Sequence, residues 1–227
     1  MDTYSHLVEL IRELSRLPGQ GTRLGDLSSH HRLPKQGVYF FYEDGELTSG
    51  ADGHPRVVRV GTHAVSNGSR STLTQRLRAH RGTRAGGGNH RGSIFRLHVG
   101  QALQRRLKSL VPTWAKGSTV ARDIRDAERE HEERVSKIIC AMPVLWLAVE
   151  DAAGPTSERA VIERGAIATL SNSLAPIGKP SDSWLGNHSP REEIRRSGLW
   201  NLNYTRESPD AEFIDAFAAA VERTARR

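Results

Sequence analysis

Tyr39, His63, Arg76 and His80 lie within 42 residues of one another, and their side chains make a coherent chemical set. A phenol and two imidazoles can bind or pass a proton near neutral pH. A guanidinium can clamp an anion with its planar fork. Far downstream, Glu163 is a single carboxylate in an apolar, alanine-rich run. A buried carboxylate without a partner is costly. Glu163 therefore needs one: Arg159 or Arg164 in a structural reading, a divalent cation in a functional one. Residues 82–92 hold three successive glycines with Arg84, His90 and Arg91. They read either as a phosphate-contacting loop or as an ordinary surface loop. No Gly-Lys-Ser/Thr follows, which excludes a Walker-type phosphate loop. Arg78 and Arg81, on the helix before this loop, look like ordinary solvated charges; Arg78 also joins Arg84, His90 and Arg91 as a candidate nucleic-acid contact.

Several elements must position these groups. Residues 37–42, five of six apolar or aromatic, read as a strand, and residues 57–63 as a second. The polar, glycine-bearing residues 43–55 join them as a hairpin loop. Ser71 or Thr72 caps a helix that runs to His80. In it Leu73 and Leu77 share the buried face, and Arg76 and His80, also four apart, stack on a neighbouring one. Ser93 caps a further helix over 94–107, whose densely apolar start also permits strand character. Residues 120–139 alternate charge at helical spacing and read as a solvated face laced with weak ion pairs. Glu128, Glu130, Glu132, Glu133 and His131 point all around that helix, so they do not converge on a metal. Residues 142–149 read as a strand buried on both faces, and 156–170 as the helix carrying Glu163. An N-terminal helix over 3–17 stops at Pro18-Gly19, residues 22–34 give a turn of helix and a connection, and a last helix covers 209–225.

The 227 residues carry a formal net charge of +7, which favours a polyanionic partner, nucleic acid above all. Cys140, the single cysteine, excludes an internal disulfide and a cysteine-rich zinc site and reads as a buried core thiol. No run approaches 18 apolar residues, so no membrane partner is expected. The acidic N-terminus has no signal-peptide apolar region, which gives a cytoplasmic, reducing compartment as the expectation.

The order strand, strand, helix, helix, helix, strand, helix, with its first two strands in a hairpin, resembles the GIY-YIG nuclease superfamily. Gly37-Val38-Tyr39 looks like the first tripeptide of that family, and Arg59-Val60-Gly61 stands where the second belongs, 24 residues on from glycine to glycine. Residues 73–80 look like the helix bearing the family's arginine, and Glu163 like its lone metal-binding glutamate. The resemblance covers roughly residues 35–175. It implies an α/β (α+β) fold with a small three-stranded antiparallel sheet flanked by helices. It also implies hydrolysis of phosphodiester bonds with one divalent ion, Mg2+ or Mn2+. By the same resemblance Glu163 would hold the ion, Tyr39 would meet the attacking water, and Arg76 would clamp the phosphate. His63 and His80 would relay a proton or bind phosphate. A phenol is a weak base near neutral pH, so neighbouring cations would have to acidify it.

Two departures qualify the match. Arg59 replaces the second motif's tyrosine, a permanent cation that can bind phosphate but not act as a base. The family's late asparagine has no clean counterpart, leaving Asn172 and Asn187 as options. The expected organisation is an N-terminal helical extension over 1–34, a nuclease domain over 35–175 and an accessory segment over 176–227. The leading function is a metal-dependent endonuclease acting on DNA, RNA not excluded, with the oligomeric state open. The alternative is a catalytically impaired nucleic-acid-binding protein that keeps the fold.

Overall fold

In the strand β2 (Gly37–Leu47), successive side chains face opposite sides, and both sides are dry: Val38, Tyr39, Phe40 and Phe41 are all fully buried. A strand buried on both faces must lie between two layers of helices. The computed structural model, which describes residues 2–48, 53–174 and 178–227, has that arrangement. β2 pairs antiparallel with β3 (Pro55–Gly61) on one side and β4 (Pro143–Ala148) on the other. Tyr39 lies opposite Gly61 in one partner and Trp146 in the other. A two-residue strand β1 (Thr22–Arg23) adds to β4, giving the order β1-β4-β2-β3. The sheet thus has four strands rather than three, the extra one coming from the stretch expected as a connection. Residues 49–52 of the hairpin loop and 175–177 at the junction of the nuclease domain and the accessory segment lie outside the described residues.

Val38 and Phe40 face α1 (Thr3–Ser15), α5 (Glu158–Leu170) and α7 (Phe213–Ala225), meeting Leu7, Leu14, Ile162 and Phe217. Tyr39 and Phe41 face α2 (Leu73–Arg81), α3 (Ile94–Leu107) and α4 (Arg122–Ala141), with Phe95, Val99, Val135 and Trp200. Full burial of each such aromatic contributes roughly 2–3 kcal/mol. The stretches expected as extensions on either side of the central domain contribute α1 and α7 to the first of these layers: Leu7 and Phe217 share one core with Phe40. The accessory segment also covers the free edge of β3. Trp200 N donates to Val58 O at 2.7 Å, and the Asn201 amide bonds both N and O of Val60. An edge so covered cannot pair with another chain. A short helix α6 (Glu192–Ser197) precedes this contact.

α3 begins as helix at Ile94, its Ser93 cap accepting from Arg96 N, with no strand at its start. The larger correction is α4. Its Glu128, His131 and Glu132 are buried, so this flank of the charged helix faces inward. Cys140 is half-buried, with Sγ near Arg81 O, rather than a core thiol. Among the described residues no helix is long and apolar enough to cross a membrane.

Candidate active site

The phase of α2 is set at its first turn. Thr72 Oγ1 accepts from Gln75 N at 3.2 Å while Gln75 Oε1 accepts from Thr72 N at 2.9 Å, a reciprocal capping box. With Leu73 and Leu77 inward, His80 is driven into the layer under the sheet, where it is fully buried. Its Nε2 lies 2.8 Å from Tyr39 Oη and its Nδ1 2.7 Å from Ser93 Oγ. Edge-on contacts with Tyr39, Phe41 and Phe95 fix the ring. Burial first, then the charges of Arg59, Arg76 and Arg96, hold its pKa well below that of a free imidazole, so His80 is neutral. A neutral imidazole bonded at both nitrogens admits two proton arrangements. In one, Ser93 donates to Nδ1 and Nε2–H donates to Tyr39; in the other, Tyr39 donates to Nε2 and Nδ1–H donates to Ser93. Passing between them moves a proton along Tyr39, His80 and Ser93.

Gly61 makes room for this arrangement. A Cβ there would lie 2.3 Å from Tyr39 Oη and 2.4 Å from Cζ. The Tyr39 ring therefore lies flat across the Gly61 backbone, which explains why this strand position carries glycine.

Glu163 sits half-buried on α5, and its Oε1 accepts from Thr62 N at 3.1 Å. Thr62 is itself fixed by its hydroxyl, which donates to Gly37 O at 2.8 Å. Neither structural partner expected from the sequence reaches Glu163: Arg159 pairs with Asp151 and Arg164 with Glu207, each at 2.5 Å. Burial raises the Glu163 carboxyl, while Arg59, the Thr62 amide and Arg76 pull it down. Thr62 follows Gly61, whose backbone lies against the Tyr39 hydroxyl, so the end of β3 brings the carboxylate and the Tyr39–His80 pair to one locus; the charges of Arg59 and Arg76 act on both. Arg76 is half-buried and makes no ion pair among the described residues; its Nε has no partner there either. It faces a cleft shared with Ser93, Ile94 and Leu97. Arg59 is buried: Nη1 donates to Trp200 O at 2.5 Å, and the guanidinium lies 4.8 Å over the Phe95 ring.

His63 is buried and engaged at both nitrogens: Nδ1 donates to Ser71 O at 3.0 Å, and Nε2 accepts from Gly37 N at 3.4 Å. Burial, then Arg159, holds its pKa at about 4. His63 fixes the loop between β3 and α2, and neither nitrogen is left for a phosphate.

The glycine-rich loop is a packing device at its core. His90 is buried, with Nδ1 2.9 Å from Glu132 and Nε2 accepting from Ala115 N. Arg91 grips Glu128 with two bonds of 2.6 and 2.9 Å. Arg96, fully buried, donates through Nε to Glu132 at 3.0 Å and through Nη1 to His80 O at 3.0 Å. A Cβ at Gly88 would lie 2.0 Å from Arg96 Nη2, so the loop backbone rests directly on the guanidinium. His90 and Arg91, expected as phosphate contacts, are thus held by the inward carboxylates of α4. Arg78 and Arg84 are exposed. Asn172 holds a loop by bonding N and O of Gly178, and exposed Asn187 bonds Ser181 O. Neither joins Glu163. Ser93 and Thr62 belong to the site and were not singled out from the sequence for it. Ser93 showed there only as a helix cap, and Thr62 only as a strand residue.

Among the described residues no three His, Cys, Asp or Glu side chains gather to hold a metal ion. A single carboxylate still suits Mg2+, which keeps several waters and shares its shell with substrate phosphate oxygens. Glu163 meets that requirement, being half-buried and without an ion-pair partner among the described residues. In the comparisons with known proteins, a family model described as "GIY-YIG domain" matches residues 1–227. No curated protein and no solved structure matches the chain.

Proposed function

The chain belongs to the GIY-YIG domain family, whose members are nucleases, and on that premise we propose that it is a metal-dependent endonuclease hydrolysing phosphodiester bonds in DNA. The observation that carries this reading is that Glu163 accepts from Thr62 N beside Gly61, whose backbone lies against the Tyr39 hydroxyl that is bonded to His80. Glu163 would hold one Mg2+ or Mn2+; bound there, the ion supplies charge neutralisation at the phosphate and acidifies water. Arg76 clamps the scissile phosphate with its fork. Tyr39 orients the attacking water and accepts its proton while giving its own to His80 Nε2. The positive charge then on His80 is offset by the negative charge gathering on the phosphate. Arg59 is held away from the substrate by Trp200 O and acts through its field alone.

A second reading, nucleic-acid binding without cleavage, rests on Arg59 at the position where the family carries its second tyrosine. Nicking of supercoiled plasmid separates the two. Wild type is expected to nick with Mg2+ and not with EDTA, and Glu163→Gln to lose more than about 100-fold. The substitution removes a carboxylate penalised by burial, so the thermal midpoint should hold or rise. Equal nicking by E163Q, or nicking in EDTA, would overturn the metal assignment. Duplex binding without nicking would favour the second reading.

A further inference from the structure

α2 carries charge on two flanks. At about 100° per residue, Arg76 and His80 share one flank, while Arg78 and Arg81 stand roughly 140–160° round the helix from Arg76. That second flank faces residues 24–33, and a cleft of about 350 Å3 lies between them. Arg32, Arg78, Arg81 and Arg84 line it together with Ser28 and Ser29, and no carboxylate does among the described residues. Exposed arginines elsewhere are mostly neutralised: Arg129 by Asp126, Arg134 by Glu130, Arg223 by Glu158, Arg226 by Glu222. Among the described residues none of the four cleft arginines has an ion-pair partner. The cleft thus gathers four cations and no lining carboxylate among the described residues.

The helix dipole at the end of α2 accounts for Arg78 and Arg81 alone. Arg32 and Arg84 arrive from two other segments. Arg32 does so in a left-handed conformation, φ 33° and ψ 50°, which a side-chain-bearing residue adopts at a cost. Arg81 donates Nη1 to Leu27 O at 3.1 Å, tying the two walls together, and leaves its buried Nε without a partner among the described residues. Between the two flanks, the outer face of α2 presents exposed Gln75 and half-buried Ala79, neutral and short. A helix is about 10–12 Å across with its side chains, close to the roughly 12 Å width of a B-DNA major groove. A helix of that width seated in the groove would bring each flank to a different backbone.

We propose that this cleft seats backbone phosphates of the complementary strand of a DNA duplex, whose other strand is cut at the Arg76 flank; this rests on the nuclease reading. The substrate is then a duplex, with α2 as the element lying between its strands.

The test measures binding of labelled duplex and single-stranded oligonucleotides by fluorescence anisotropy in EDTA, across a salt series, with nicking assayed separately. The variant Arg32→Ser/Arg78→Ser/Arg84→Ser leaves the Arg81 tie intact. It is expected to weaken duplex binding on the order of 30-fold and to flatten the slope of log K against log salt by about 2–3. Single-strand affinity should change less than about threefold, because that strand engages the Arg76 flank. A second variant, Arg32→Gly, relieves the left-handed backbone, so its thermal midpoint should rise while duplex affinity falls. A purely structural Arg32 would give the stability gain without the loss of affinity, which would overturn the proposal. Equal losses on single strand and duplex would also overturn it, marking a general anion patch. Unchanged duplex binding and salt slope in a variant that still nicks would sink the cleft and leave the nuclease reading standing. Absence of any DNA binding by wild type would remove both.

Discussion

Replacing Gly61 by alanine adds one methyl group and should disable the site. The new Cβ would lie 2.3 Å from Tyr39 Oη, 2.4 Å from Cζ and 2.8 Å from Cε2. Carbon atoms pack at about 3.5 Å, so the ring must move by about 1 Å. Tyr39 is fully buried against Phe41 and His80, so the ring has little room to move. Overpacking of this kind costs about 1–3 kcal/mol, offset by the 0.4–1 kcal/mol that glycine-to-alanine changes typically return through the unfolded chain. The net loss is roughly 1–2 kcal/mol, or a fall of about 2–8 °C in melting temperature for a chain of this length. The effect on chemistry is larger. A 1 Å shift takes the 2.8 Å Tyr39–His80 bond beyond hydrogen-bond range, and misplacement on that scale costs on the order of 100-fold in rate. Thermal unfolding and plasmid nicking measure the two effects. Gly61→Ala combined with Tyr39→Ala removes the clash, so its stability loss should be smaller than the sum of the two single losses. A G61A protein with wild-type melting temperature and nicking rate would refute the packing argument and the role given to Tyr39 together.

Two further outcomes follow from buried charge. The folded pKa of His63 is about 4, below its ordinary 6.5, because burial, Arg159 and Arg76 disfavour the cation more than Asp151 and Ser71 O favour it. As pH falls the unfolded chain takes up this proton first. The stability contribution is therefore intact above pH 6.5 and is lost as pH falls toward 4, on the order of 1–2 kcal/mol after allowance for solvent screening. Melting curves of His63→Gln between pH 7 and 4 should be correspondingly flatter; a parallel pH dependence would show that other groups carry it. Glu132→Ala strips Arg96 and His90 of their shared carboxylate and leaves a fully buried guanidinium uncompensated. The expected cost is about 3–5 kcal/mol, and a melting temperature within about 2 °C of wild type would contradict it.

The parts legible in the sequence were those fixed by short-range patterns. Alternation in β2, the Thr72 cap, the four-residue spacing of Arg76 and His80, and the apolar run of β4 each depend on neighbours a few residues away. Contacts between distant segments left no such trace. Sign alternation along α4 marked a helix but could not tell that Glu128 and Glu132 meet Arg91 and Arg96, since that depends on which helix packs beside it. The same blindness made His90 and Arg91 look free. A triple glycine reads as flexibility, yet Gly88 is small because Arg96 lies against it. Asn201, which pairs with β3 across 141 residues, has no local signature at all.

Arg59 joins these themes. Its charge pulls the Glu163 carboxyl down against burial, favouring the ionised form that a cation requires. The same charge pushes His80 down, which keeps it neutral and bonded to the Tyr39 hydroxyl and sets the cost of any proton placed on it. A tyrosine at this position would supply neither effect. The guanidinium is kept from neutralising Glu163 directly because Trp200 O and the Phe95 ring hold it, and Trp200 is itself fixed by Val58. The C-terminal segment therefore fixes the position of a charge that acts on Glu163 and His80 alike. That dependence gives a physical reason why an arginine can stand at this position without pairing with Glu163.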